Sequence, residues 1–314
     1  MKNYSTPIIP YFPVLARKLL IFSVEGGSIE ENREKEQITM GRELERYEQI
    51  ERSIIKKFRK TLWNPFVYAV KRYELIQEND RIAVCISGGK DSMLLAKLMQ
   101  LLHRYTEVPF ELAFLVMDPG YNAANRRKIE ENAALLHVPV TIFESDVFAV
   151  ANSTPKNPCY LCARMRRGYL YSRARELGCN KIALGHHFND VIETTVMSMF
   201  FGAQLQAMLP KLHSTNFAGM ELIRPLYCVH EDDIIAWRRF NELDFLQCAC
   251  RFTENTADGA AHSKRQEVKE LLRSLRRDNP NIEKSIFNSI HGVALDTFPG
   301  YKSGGTAHSF LDRY

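Results

Sequence analysis

The stretch from Asp80 to Ser92 constrains this chain more than any other. A short apolar strand, Arg81-Ile82-Ala83-Val84-Cys85-Ile86, runs into Ser87-Gly88-Gly89-Lys90-Asp91-Ser92, and a helix dense in Leu and Met follows from Asp91 to His103. A strand, a glycine pair and a helix in that order leave backbone N–H groups exposed at the positive end of the helix, where an anion is held favourably. The segment is not the nucleoside-triphosphate loop Gly-x-x-x-x-Gly-Lys-Ser/Thr, because Asp91 follows Lys90 and the earlier glycine is missing. A kinase or GTPase is therefore disfavoured, and an anion-binding loop of another kind is the first expectation.

Around this loop, strands and helices alternate. Candidate strands are Glu111 to Met117, Val138 to Phe143, Lys181 to Leu184 and Glu221 to Leu226; helices are expected over Asn122 to Leu136, Ala163 to Leu177, Asn189 to Phe201 and Glu231 to Leu243. Such alternation predicts an α/β fold, a parallel sheet with helices on both faces. Ahead of it, Ile50, Ile54, Ile55, Phe58, Leu62, Phe66 and Val67 recur at helical spacing between Glu43 and Glu74, with Pro65 as the expected break or kink. The expected division is a poorly ordered leader over 1–45, a basic N-terminal helical segment over 46–78, the catalytic domain over 79–250 and a C-terminal helical tail over 251–314. Met40 stands just before the regular pattern begins, and natural translation is expected to start there.

Net charge is only +5, but the basic residues cluster: Arg52, Lys56, Lys57, Arg59 and Lys60 in one group, Arg164, Arg166, Arg167, Arg173 and Arg175 in another. Clusters of that kind suit a polyanionic partner, and Lys56, Lys57, Arg59, Lys60, Arg164, Arg166 and Arg167 are the expected RNA contacts. No apolar run approaches the roughly 18 residues of a membrane span, and no secretory signal is legible, so a cytoplasmic location is expected.

Seven cysteines without an export signal argue against a disulfide framework. Cys159-Tyr160-Leu161-Cys162 is a C-x-x-C pair, and Cys248-Ala249-Cys250 lies far downstream. On residue type alone a zinc site, an iron–sulfur cluster and a redox pair stand equal. Cys85, Cys179 and Cys228 are assigned to structure.

Three segments together carry a resemblance. Asp80 through Ser92, then Cys159-x-x-Cys162-Ala-Arg-Met-Arg-Arg-Gly-Tyr-Leu-Tyr, then Lys181-Ile-Ala-Leu-Gly-His-His-Phe-Asn-Asp190 closely resemble the tRNA 2-thiocytidine synthetases of the TtcA type, in the PP-loop ATP pyrophosphatase superfamily. Ile223-Arg224-Pro225-Leu226 and the Glu231 helix start extend the likeness, which runs from about residue 45 to about 295. It implies a PP-loop fold, adenylation of the C2 oxygen of a tRNA cytidine at position 32, and replacement of AMP by sulfur.

Carried over residue by residue, it implies that Ser87, Gly88, Gly89, Lys90, Asp91, Ser92, Gly185 and His186 bind ATP. Lys90, Asp91 and Asp190 would be catalytic, Asp190 holding magnesium, while Asn189 stands where an Asp is usual. Cys159, Cys162 and Cys248, with Cys250 as the alternative third ligand, would bind a [4Fe-4S] cluster that keeps one iron open. A sulfur donor, either sulfide or a desulfurase persulfide, and a homodimer are also implied. Rival readings are a PP-loop adenylating enzyme with a structural zinc and a non-catalytic nucleotide-sensing RNA-binding module.

Overall fold

The computed structural model describes residues 43–152, 158–246 and 264–314, and Arg46–Tyr314 forms one compact unit. Strand β1 (Arg81–Ile86) is central. It pairs in parallel with β2 (Glu111–Asp118) on one side and with β4 (Lys181–Ala183) on the other; β3 (Val140–Glu144) extends the sheet beyond β2, and β6 (Glu221–Ile223) beyond β4. The order is β3-β2-β1-β4-β6-β5, so the direction of winding reverses between β1 and β4. In such sheets ligands sit outside the carboxyl ends of the strands at the reversal. Strand β5 (Lys211–His213), an element absent from the sequence reading, pairs antiparallel with β6 at the edge.

Side-chain alternation along β1 divides the core. Ile82, Val84 and Ile86 face α3 (Lys90–Tyr105) and the N-terminal helices, whereas Ala83 and Cys85 face Tyr171 and Ala174 of α6 (Pro158–Glu176). Both faces of a parallel strand are thus buried, as its unbroken apolar run requires.

The N-terminal helix is broken earlier than Pro65. Helix α1 (Arg46–Ile55) is followed by a π-helical turn (Arg59–Trp63) and then α2 (Asn64–Arg72). Pro65 lies in the first turn of α2, where its missing N–H costs nothing; the register shifts ahead of it, with Phe58 N–H donating to Ser53 O and Asn64 N–H to Arg59 O. Ile50, Ile54, Leu62 and Phe66 have no exposed surface, and each contributes about 1.5–3 kcal/mol over an exposed position. A buried ion group ties α1 to α3: Glu51 accepts from Lys97 Nζ at 2.6 Å and from Arg104 Nη1 at 2.7 Å.

Helix α4 (Ala123–Leu135) is capped by Asn122, whose side chain accepts from Asn125 N–H. Helix α5 (Val147–Asn152) precedes α6. Helix α6 begins at Pro158 rather than at Ala163, so Cys159 and Cys162 lie within it, one turn apart, and not ahead of it. Helices α7 (Phe188–Gly202) and α8 (Glu231–Phe240) follow β4 and β6. In the tail, α9 (Lys264–Asp278) and α10 (Ile282–Ser289) precede a hairpin of β7 (Gly300–Ser303) and β8 (Thr306–Ser309), which the helical reading of that region did not anticipate. The leader and Cys248-Ala249-Cys250 fall outside the described residues, apart from 43–45.

Candidate active site

Gly89 is the N-cap of α3 and carries no side chain to cover the helix's first N–H groups. Gly88 adopts φ +85°, and a Cβ there would stand 2.7 Å from Ile129 and 2.9 Å from Leu246, so only glycine fits. Ser92 Oγ accepts from Ser87 N–H at 3.1 Å and donates to Gly89 O at 2.9 Å, closing the loop on itself. Gly185, expected as an ATP contact, has a packing role: its α-carbon faces Asp91 and Ser92, and a Cβ would lie 3.1 Å from the Ser92 nitrogen. The turn after β4 is thereby pressed against the start of α3.

Lys90 Nζ bonds Asp91 Oδ2 at 3.0 Å and Glu231 Oε1 at 3.1 Å. Burial disfavours its charge, but the two carboxylates outweigh burial and raise its pKa above the ordinary lysine value. Glu231 is held in turn by Lys269 Nζ at 2.6 Å. Burial alone would raise the Glu231 pKa; Lys269, Lys90 and His187 overcome it and bring the carboxyl down to about 2. The other oxygen of Asp91, Oδ1, is buried without a hydrogen-bond partner, 3.9 Å from His187 Nε2.

His187, five per cent exposed, caps α7: its Nδ1 accepts from Asp190 N–H while Asp190 Oδ2 accepts from His187 N–H. The remaining Asp190 oxygen bonds Arg265 Nη1 at 2.8 Å. Both Asp190 oxygens are therefore engaged, and Asp91 is the acid with an uncommitted oxygen for a cation. Asn189 is a joint: Oδ1 accepts from Glu231 N–H at 3.0 Å and Nδ2 donates to Glu283 at 3.3 Å.

On the opposite side, Tyr121 connects the loop to the cysteine helix. Its hydroxyl reaches Ser87 O at 3.4 Å, and Arg166 and Cys162 of α6 act on it electrostatically. Burial raises its pKa, and Arg166 opposes the rise. Cys162 is half-buried in the N-terminal part of α6. Leu246 donates its N–H to Gly88 O at 3.1 Å, tying the segment after α8 to the phosphate loop. Cys85 and Cys179 are buried in the core, burial pushing the Cys85 thiol up to about 12, and Cys228 is partly buried.

Not every expected contact converges here. Lys57, Arg59 and Lys60 are exposed around the π-helical turn, and Lys57 Nζ stands 3.7 Å over the Phe240 ring. Phe240 ends α8 and Glu231 begins it, so that group lies about 14 Å along the helix from Lys90's partner. Arg164 and Arg167 are exposed on α6 beside half-buried Arg166. Glu231, Tyr121, Arg265 and Lys269 were not singled out as site residues in the sequence; their signal is a charged or aromatic residue at an element end, too common to discriminate.

A glycine-paired turn opening a helix at the carboxyl edge of a doubly wound sheet, with a lysine over it, defines a PP-loop nucleotide-binding α/β protein, and a family model described as a PP-loop domain matches residues 39–253. The tRNA-cytidine(32) 2-sulfurtransferase of Citrifermentans bemidjiense is 37% identical over 229 residues, covering 72% of this chain and 87% of the relative; that of Geobacter metallireducens is 36% identical over 242 residues, covering 76% and 91%. The chain belongs to this family, the TtcA-type tRNA 2-thiocytidine synthetases. The U34-tRNA thiolase NcsA of Methanococcus maripaludis, solved with its [4Fe-4S] cluster, shares the fold at a TM-score of 0.59 and 20% identity, over 76% of this chain and 80% of that one.

Proposed function

We propose that this protein replaces the C2 oxygen of a tRNA cytidine, at position 32, with sulfur at the expense of ATP. The observation that carries the reading is Tyr121, whose hydroxyl bonds Ser87 of the phosphate loop and is acted on by Cys162 and Arg166 of α6. A phosphate loop and a C-x-x-C thiol linked through one tyrosine suit activation of an oxygen followed by its replacement with sulfur.

The first N–H groups of α3, the Ser87 and Ser92 hydroxyls and the Lys90 ammonium hold the β- and γ-phosphates. The C2 oxygen attacks the α-phosphorus, an O–P bond forms, and the bond to pyrophosphate breaks. Lys90 offsets charge on the departing group by exchanging a carboxylate for phosphate oxygen, while Lys269 keeps Glu231 compensated. Asp91 Oδ1 fits magnesium, being a buried acceptor without a donor; Asp190 fits it once Arg265 withdraws. A sulfur nucleophile then adds at C2 and AMP leaves, carrying the former C2 oxygen.

Cys159, Cys162 and Cys248, with Cys250 as the alternative, would hold a [4Fe-4S] cluster, which when bound supplies an open iron for the incoming sulfide. Cys162 fits as a thiolate ligand beside Arg166. The sulfur comes from sulfide or a desulfurase persulfide. A cytoplasmic location accompanies this reading; no helix among the described residues is long and apolar enough to cross a membrane. A homodimer is proposed as well, with exposed Met199, Phe200, Phe201, Leu205 and Leu209 as apolar surface for it; sedimentation showing only monomer removes that element.

The test separates the half-reactions. Cys162→Ala is expected to keep tRNA-dependent pyrophosphate release and to lose 2-thiocytidine, measured by nucleoside analysis; Lys90→Ala is expected to lose both. Absence of tRNA-dependent pyrophosphate release from the native protein defeats the reading.

A further inference from the structure

Arg224 follows β6 directly and is nine per cent exposed. Among the described residues no carboxylate lies within ion-pair distance of its guanidinium. One nitrogen, Nη1, donates to Leu209 O, while Nε is buried without a partner. The neighbouring tyrosines do not answer it: the Tyr227 hydroxyl donates to Met208 O at 3.0 Å, and Tyr171 bonds Ser214. A buried cation left in this state is costly, and burial brings its pKa down to about 10. Groups held so are commonly completed by a ligand.

A second unsatisfied group lies beyond the end of the neighbouring strand. His186, three residues beyond β4, has a buried Nδ1 with no partner, and Arg224 acts on it electrostatically. Burial is the main reason that its pKa falls to about 4, so the imidazole is neutral and Nδ1 accepts when the proton is on Nε2. The two groups lie at the carboxyl ends of adjacent strands β4 and β6. Tyr227, Asp190 and, from the cysteine helix, Tyr171 and Arg167 are the charged and titratable groups that act on Arg224 from around it.

An orphan donor and an orphan acceptor at the ends of neighbouring strands match an aminopyrimidine edge, where a ring nitrogen accepts and the exocyclic amine next to it donates. A phosphate does not match, because its oxygens would face the His186 lone pair. We propose that Arg224 and His186 select the target base, Arg224 Nε–H donating to cytosine N3 and His186 Nδ1 accepting from the N4 amine. Uracil presents N3–H to the arginine and O4 to the histidine, and is refused on both counts. A donor on N3 also draws electron density from C2, where sulfur must add. The proposal rests on the thiolation reading above and supplies its base selectivity. Adenine offers the same edge through N1 and N6, and it is the thiolation reading that assigns the edge to cytosine.

The test uses the full-length protein, ATP and anticodon stem–loop RNAs that differ only at the target position, carrying cytidine, uridine or 3-deazacytidine, which lacks the N3 acceptor. Pyrophosphate release is the readout. Native protein should favour cytidine over 3-deazacytidine by on the order of 10- to 100-fold, and Arg224→Met should bring the two within about twofold without weakening ATP binding. Equal release from cytidine and 3-deazacytidine by native protein overturns the proposal alone, even if Arg224→Met does not fold. So does an Arg224→Met variant that keeps the preference, or one that instead loses discrimination between ATP and GTP, which would assign the edge to adenine. Release with no RNA at all sinks the thiolation reading and this inference with it.

Discussion

Glu231 links the phosphate loop to the C-terminal helices by a single carboxylate shared between Lys90 and Lys269. Its pKa falls from the ordinary glutamate value to about 2 in the folded chain. The stability it contributes is therefore fully present above about pH 5 and lost as pH falls from there toward 2, and by linkage it is at most on the order of 3 kcal/mol. Thermal unfolding followed from pH 7 to pH 3 should show a steeper loss for the native chain than for Glu231→Gln, which starts lower at pH 7 and converges with it in acid. Parallel curves would remove Glu231 from this role. At this scale the sequence was partly legible. Gly88, Gly89 and Lys90 were readable because a strand, a glycine pair and a helix dictate their geometry locally. Tyr121 and Arg224 matter through groups 34 and 38 positions away, Ser87 and His186, and no local pattern announces that.

Elements were legible where their periodicity was set by burial on one sheet face. Strand β1 and helix α3 fall within a residue or two of expectation, because an unbroken apolar run and a Leu-rich helix have one way to be buried. Helix α6 was misjudged at its start: C-x-x-C followed by arginines reads as a loop before a helix, yet Cys159 and Cys162 lie inside it. Its amphipathic signal is weak because its apolar contacts fall on Tyr171 and Ala174 near the far end. Helix α9 shows a different limit. Its composition predicts a helix, but its value to the site comes from Arg265 on Asp190, Lys269 on Glu231 and Arg276 on Asp232, three ion pairs that clasp the starts of α7 and α8. Only packing of Val268 and Leu272 against Phe188, Ile192 and Val196 decides which carboxylates those cations meet.

For the whole molecule, the π-helical turn and α6 pack on opposite faces of the sheet, so their basic groups stand apart. That separation suits a folded RNA laid across the surface better than a short peptide or small anion. If Lys56, Lys57, Arg59 and Lys60 each neutralise a tRNA phosphate, replacing all four with Gln should flatten the plot of log affinity against log salt by about 3. Fluorescence anisotropy with labelled tRNA over a range of salt checks it. An unchanged slope would confine the RNA to the α6 side.

What the sequence determined by itself was the phosphate loop, the alternation that makes a doubly wound sheet, and the presence of thiols, since each depends on residues adjacent in the chain. Tertiary structure decided how they meet. It put Gly185 against Ser92, Tyr121 between Ser87 and the cysteine helix, and Leu246 on Gly88, and it left Arg224 Nε and His186 Nδ1, at the ends of adjacent strands, without hydrogen-bond partners. Those contacts arise where parallel strands far apart in sequence end side by side, and their partners are chosen by sheet order and packing rather than by any spacing along the chain.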